Sequence, residues 1–151
     1  MGVKMSAEEV AEFTGTHGDA VLTTIREDGR AAPMPVWYVA SDGAVYFRTF
    51  LKTKKLANIA RDSRVTVLIS AGHKWAELRG VVLQSEAVIV EDAAAANRIR
   101  AAFTELFKDR VAPAASLPGN TTEHYANDAI VRVSIPENPT TWDNRKIRLQ
   151  S

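Results

Sequence analysis

The chain has no cysteine among its 151 residues, which excludes a disulfide framework, a thiolate nucleophile and a cysteine-ligated metal. Glycine-rich dinucleotide fingerprints and phosphate-binding P-loops are missing as well. Ser70, Ser85 and Ser116 lack the glycines of a nucleophile elbow, so a hydrolase triad has no local support. The three histidines, His17, His73 and His124, are scattered with no second histidine or carboxylate at ligand spacing, and no metal site is expected. Net charge is only +1, too little for a chain that wraps nucleic acid, although a local basic patch can still hold a phosphorylated ligand. The start carries no long apolar core of a signal peptide, and cytoplasmic residence is the expectation. A chain without evident acids, bases or nucleophiles points to chemistry carried by a cofactor.

What is present is ordinary for a soluble chain: 46% hydrophobic and 25% charged residues, which leaves little room for a membrane, fibrous or disordered class. A single domain over residues 1–151 is expected. "SAEEVAEF" places Ser6 three residues before Glu9, a capping box, with Val10 and Phe13 on one helical face. "AVLTTIREDGRAAPMPVWYVASDGAVYFRTF" holds two Asp-Gly turn signals between β-prone runs and predicts a three-stranded meander. "TKKLANIARD" predicts a helix capped by Thr53, with Leu56, Ile59 and Ala60 as its apolar stripe. "RVTVLIS" and "WAELRGVVLQSEAVIV" return to strand composition, the second long enough to bend between parts of a barrel, with Gly80 as the expected bend. "EDAAAANRIRAAFTELFKDR" is a clear helix with Ile99, Phe103, Leu106 and Phe107 on one face, followed by a loop containing Pro and Gly. "AIVRVSIP" reads as a strand and "TTWDNRKIRL" as a short strand or ordered tail. The whole is mainly β with peripheral helices (α+β), an antiparallel barrel.

Two stretches are unusual. Lys52, Lys54 and Lys55 cluster where a strand ending in Thr49 passes to the helix starting at Thr53. Basic residues are the wrong sign for a helix N-terminus, and a bound anion would remove the conflict; a solvated basic surface is the competing reading. In "APMPVWYV", Pro33 and Pro35 sit two residues apart in a strand, so both withhold N–H donors from the same side. Met34 and Val36 then carry donors to the opposite side, for a neighbouring strand or for the polar edge of a planar ligand. Plain edge protection against aggregation is the alternative. Trp37, Trp75 and Trp142 fit core or interface positions more readily than ligand platforms.

The run from Asp19 through Val90 resembles the pyridoxamine phosphate oxidase-like split-barrel flavoproteins. It is most similar to their actinobacterial branch that uses the deazaflavin coenzyme F-420. The resemblance is carried by the ordered set of strand, Asp-Gly turn, Pro-x-Pro strand, strand ending in Thr, basic helix start and Asp-x-Arg-Val. It implies an FMN-binding-like split β-barrel in which Pro33, Met34, Pro35, Val36 and Trp37 run along the ring of the cofactor. Arg48, Thr49, Lys54 and Lys55 match positions that hold its phosphate, and Lys52 is placed to reach the lactyl phosphate or polyglutamate tail. The resemblance also implies a homodimer with the pocket between subunits, closed by Trp75, Arg79 or Trp142 of the partner chain.

The C-terminal sequence of true pyridoxamine phosphate oxidases is not visible in "TTWDNRKIRLQS", so vitamin B6 oxidation is not expected. The expectation is an oxidoreductase passing hydride from reduced F-420 to an electron-poor acceptor of quinone, enone or tetrapyrrole type. FMN in place of F-420 is one alternative. A non-catalytic cofactor- or haem-binding module is another, and a single-strand nucleic-acid barrel is a weaker third, disfavoured by the near-neutral charge.

Overall fold

The computed structural model describes residues 3–112, 116, 118 and 127–148. Its elements run α1 (Ala7–Thr16), β1 (Asp19–Ile25), β2 (Ala31–Ser41), β3 (Ala44–Phe50), α2 (Lys54–Arg61), β4 (Arg64–Ala71), β5 (Arg79–Ile89), α3 (Ala93–Phe107), β6 (Asp128–Ser134) and β7 (Thr140–Asp143). Single 3-10 turns at Trp75–Glu77 and Asn144–Lys146 flank β5 and β7. The capping box of α1 forms as expected: Glu9 N–H donates to Ser6 Oγ (3.1 Å) and Ser6 N–H to Glu9 Oε1 (3.1 Å). The meander turns at Asp42-Gly43, where φ of 47° and 72° gives both residues the left-handed twist that tight hairpins need.

All strand pairs are antiparallel, in the order β4-β1-β2-β3-β6-β5, and β4 also pairs with β5, so six strands close into a barrel with β7 added outside β5. Closure depends on two strands that change partner along their length. β2 pairs with β1 over Ala31 to Trp37 and with β3 over Tyr38 to Ser41. β5 pairs with β4 over Arg79 to Glu86 and with β6 from Ala87 onward. The change of partner in β5 thus falls at Ala87 and not at Gly80, where the sequence suggests a bend. Gly80 instead makes room for a ring: it faces Trp142 across the β5–β7 ladder, and a Cβ there would stand only 2.1 Å from the indole.

Alternation fills the barrel with Val45, Phe47, Val67, Ile69, Val81, Leu83, Val131 and Val133, all at most 1% exposed. Val10 and Phe13 of α1 and Leu56 and Ile59 of α2 join this core. Tyr38, also inside, donates its hydroxyl to the Thr14 carbonyl (2.6 Å), and burial pushes its ionisation well above the ordinary tyrosine range. A second core forms where Ala96, Ile99, Phe103 and Phe107 of α3 cover Val39 and Ile130. Two helix-face expectations are corrected. Leu106 is 62% exposed, because the sheet meets the stripe spaced by four residues through Ile99, Phe103 and Phe107. In α2, Ala60 is exposed and the buried position belongs to Asn58, whose amide donates to Thr24 Oγ1 (3.1 Å). The loop expected after α3, and His124 with it, falls largely outside the described residues.

Two outcomes follow. Gly80→Ala is expected to destabilise the fold by about 1–3 kcal/mol, by forcing Trp142 off its seat, measured by urea unfolding. Asp143, at 1% exposure, accepts Arg145 Nε (2.9 Å) and Nη2 (2.8 Å), and this pairing holds its carboxyl below the usual range. Its stabilisation is complete above the unfolded value of about 3.9 and is lost as pH falls through the depressed folded value. The stability gap between wild type and Asp143→Asn should thus be constant from about pH 7 to 5 and shrink below about pH 4.

Candidate functional site

β3 pairs with β6 along its whole length, whereas β2 leaves β3 after the pair Tyr38↔Phe47 and follows β1. Beyond that pair β2 follows β1 while β3 continues along β6, and the unpaired stretch between them is termed the split. One wall is the free edge of β2 from Ala31 to Trp37. The other is the end of β3, Arg48 to Phe50, and the turn into α2.

The orientation of the first wall is fixed by one bond. Tyr38 N–H donates to the Gly18 carbonyl (2.9 Å), on the β1 side. Backbone groups alternate along a strand, so Val36, Met34 and Ala32 also face β1, at the hydrogen-bonded positions opposite Ala20, Leu22 and Thr24. The donors of Met34 and Val36 thus serve strand pairing. Ala31, Pro33 and Pro35 turn their backbone groups to the split, and Trp37, facing the same side, closes its head with its carbonyl on the Arg48 N–H. The Trp37 ring lies outside, stacked on Phe107 of α3 at 4.9 Å and 7°.

On the second wall Thr49 points inward, 4% exposed, with its hydroxyl 3.0 Å from that of Thr53. Thr53 spends its own proton on the Phe50 carbonyl (3.0 Å), so Thr49 is the donor of that pair. Thr53 Oγ1 also accepts Leu56 N–H (3.4 Å) and its carbonyl accepts Ala57 N–H (3.2 Å). Among the described residues, the first-turn N–H groups of Lys54 and Lys55 have no partner, neither ammonium has an ion pair, and the turn contains no acid. Lys52 is exposed in the preceding turn. The α2 helix is pinned across the opening: Asn58 bonds Thr24, and Arg61 Nη2 donates to the Ile25 carbonyl (2.7 Å), both on β1.

Arg48 is directed elsewhere. Neighbouring residues on a strand face opposite sides, and while Thr49 points in, Arg48 points out, where its Nε donates to Asp128 of β6. Asp128 also accepts Arg100 Nε of α3 (2.7 Å), so a carboxylate only 6% exposed joins two guanidinium groups. Sequence reading misses this cluster, and no local signal marks it. The Asp-x-Arg-Val stretch proves to be a structural clasp: Arg64 Nη2 and Nε donate to Asp62 (2.7 and 3.0 Å) and hold its pKa down to about 2.

Trp75, Arg79 and Trp142 are not brought to the split within one chain, because β1, β4 and β5 intervene. Trp142 packs on Gly80, and the Arg79 guanidinium lies 5.1 Å from the centre of the Phe13 ring. Trp75 is 55% exposed, with its carbonyl accepting Asn144 Nδ2 (2.8 Å). Two clefts of about 520 and 690 Å³ lie elsewhere, one around Thr23, Thr66 and Gln84 and the other around Val88, Ile89 and Arg132. Neither is lined by a residue expected from the sequence to hold a cofactor.

Solved structures share this architecture. A conserved hypothetical protein from Mycobacterium tuberculosis is 27% identical with a TM-score of 0.78, the match covering 99% of this chain and 92% of that one. A FAD-binding protein from Mesorhizobium loti is 18% identical with a TM-score of 0.71 over 91% of this chain and 94% of that one. The FAD and heme binding protein from Mycobacterium smegmatis is 15% identical with a TM-score of 0.72 over 99% and 77% of the two chains. No curated protein sequence matches the chain. The model of the pyridoxamine 5'-phosphate oxidase family matches residues 6–134, which takes in both walls of the split and both partner-changing strands. With six strands closed antiparallel and that match across most of its length, the chain belongs to the pyridoxamine 5'-phosphate oxidase family.

Proposed function

We propose that this chain is an oxidoreductase that uses reduced coenzyme F-420 to pass hydride to a small electron-poor organic acceptor of quinone, enone or tetrapyrrole type. The observation that carries this reading is the start of α2. Two unpaired N–H groups, two lysine ammonium groups and no acid converge at one end of an open split, an arrangement that suits a phosphate. Thr49 and Thr53 shape that turn from inside, and Lys52 extends the positive charge toward an anionic tail. Arg48, committed to Asp128 on the outer face, stands apart from this seat.

The ring would lie along Pro33 to Trp37. Reduced F-420, when bound, supplies the hydride. The chain's residues bind the phosphate, orient the ring and keep water from it, and such positioning supplies much of a rate enhancement without a catalytic side chain. Met34, at 45% exposure, and Leu51, at 54%, border an opening that one chain leaves uncovered. A second copy in a homodimer would close it, with Trp75, Arg79 or Trp142 as the contributed residues. Among the described residues no helix is long and apolar enough to cross a membrane, and cytoplasmic residence is part of the proposal. FMN is the alternative cofactor; the FAD named for two of the similar structures supports a flavin in this fold. A non-catalytic carrier would bind its ligand tightly and turn over no acceptor.

Titration of the cofactor-free protein with F-420 and separately with FMN, followed by fluorescence, tests the reading. F-420 is expected to bind more tightly, and replacing Lys54 and Lys55 together by Ala should weaken it by more than about tenfold, with a smaller effect at high salt. Unchanged affinity would remove the phosphate seat. Lys52→Ala should abolish any dependence of affinity on the length of the polyglutamate tail, and a dependence that survives would release Lys52 from that role.

A further inference from the structure

Two prolines decide what a ring laid along the free edge of β2 would meet. The ladder with β1 turns the backbone groups of Ala31, Pro33, Pro35 and Trp37 toward the β3 side, where the pair Tyr38↔Phe47 engages the Trp37 carbonyl with the Arg48 N–H and, among the described residues, the ladder reaches no further along β2. At Ala31 and Trp37 those groups include an N–H. At Pro33 and Pro35 they do not, because the pyrrolidine ring has replaced it. The middle of the edge therefore presents carbonyl oxygens alone, a row of acceptors with a donor only at each end. The N–H groups that could have balanced them, on Met34 and Val36, face β1.

An oxidised flavin places N5, a ring nitrogen that accepts a hydrogen bond, beside the C4 carbonyl oxygen, a second acceptor. Against a row of carbonyls neither finds a proton, and an acceptor buried without a donor costs free energy. A deazaflavin carries a C–H at position 5. That group needs no donor and makes a weak but favourable contact with a carbonyl oxygen.

We infer that Pro33 and Pro35 make this edge selective for a ring with carbon rather than nitrogen at position 5. The inference rests on the proposal that the cofactor ring lies along β2. It assigns the two prolines a role in choosing the cofactor beyond protecting an open strand edge.

FMN and 5-deaza-FMN provide the test, since they share phosphate, ribityl chain and ring shape and differ at one ring position. Dissociation constants for both are measured on the full chain by fluorescence titration, with thermal unfolding as the check that each variant folds. Wild type is expected to bind 5-deaza-FMN about tenfold more tightly than FMN. Pro35→Ala and Pro33→Ala, made separately, each return an N–H to the edge and should narrow the ratio by tightening FMN alone. The double Lys54→Ala, Lys55→Ala variant should weaken both ligands together and leave the ratio intact. Equal affinity of wild type for the two ligands, or proline variants that move both alike, would overturn the selectivity while leaving the cofactor site standing. Failure of wild type to bind either ligand would remove the site itself, and the selectivity with it.

Discussion

The exchange of partners by β2 between Trp37 and Tyr38 is the constraint on which the rest of the structure depends. Tyr38 is held from two directions, its N–H on the Gly18 carbonyl and its hydroxyl on the Thr14 carbonyl inside the barrel. That double anchorage fixes the parity of the whole strand. It sends even-numbered backbone groups to β1 and odd-numbered ones to the split, and it lets two prolines occupy a strand without breaking its ladder. Without the exchange, β2 and β3 would pair along their full lengths and no split would exist between them.

Charge is separated by the same alternation. Arg48 and Thr49 fall on opposite sides of their strand, so the positive charge near the end of β3 divides into two groups on opposite faces. On the outer face Asp128 brings Arg48 and Arg100 together, a pairing that joins α3 to β3 and β6. Among the described residues no carboxylate pairs with Lys54 or Lys55, and the first turn of α2 contains no acid. A helix start that violates the usual sign preference, beside hydroxyl groups already engaged with one another, keeps its electrostatic demand for something outside the chain.

Much of this is legible where cause and effect lie close in sequence. The capping box of α1, the Asp-Gly turn and the Thr53 cap are each settled within a few residues. The spacing of Pro33 and Pro35 announces an open edge because both constraints act on one strand. Features set by distant neighbours are not legible in this way. β5 changes partner at Ala87, where β6 takes over from β4, and nothing in the local residues marks it. Gly80 has the local look of a hinge, and only the indole of Trp142, far along the chain, reveals why a side chain is missing there. Asp128 is 80 residues from the Arg48 guanidinium it holds. Leu106 and Ala60 lie outside the buried faces because periodicity names a helix face, while the sheet beneath decides how wide that face is.

The helix laid over the outer face touches both half-sheets. Phe107 stacks on Trp37, in the part of β2 that follows β1, and Arg100 grips Asp128, in the strand beside β3. These two contacts stand about two turns apart on one rigid rod, about 10 Å of helical rise. The helix is therefore a tie between the two half-sheets. One rigid element thus holds both at once, and a movement of either against the other would have to break the ring stack or the ion pair.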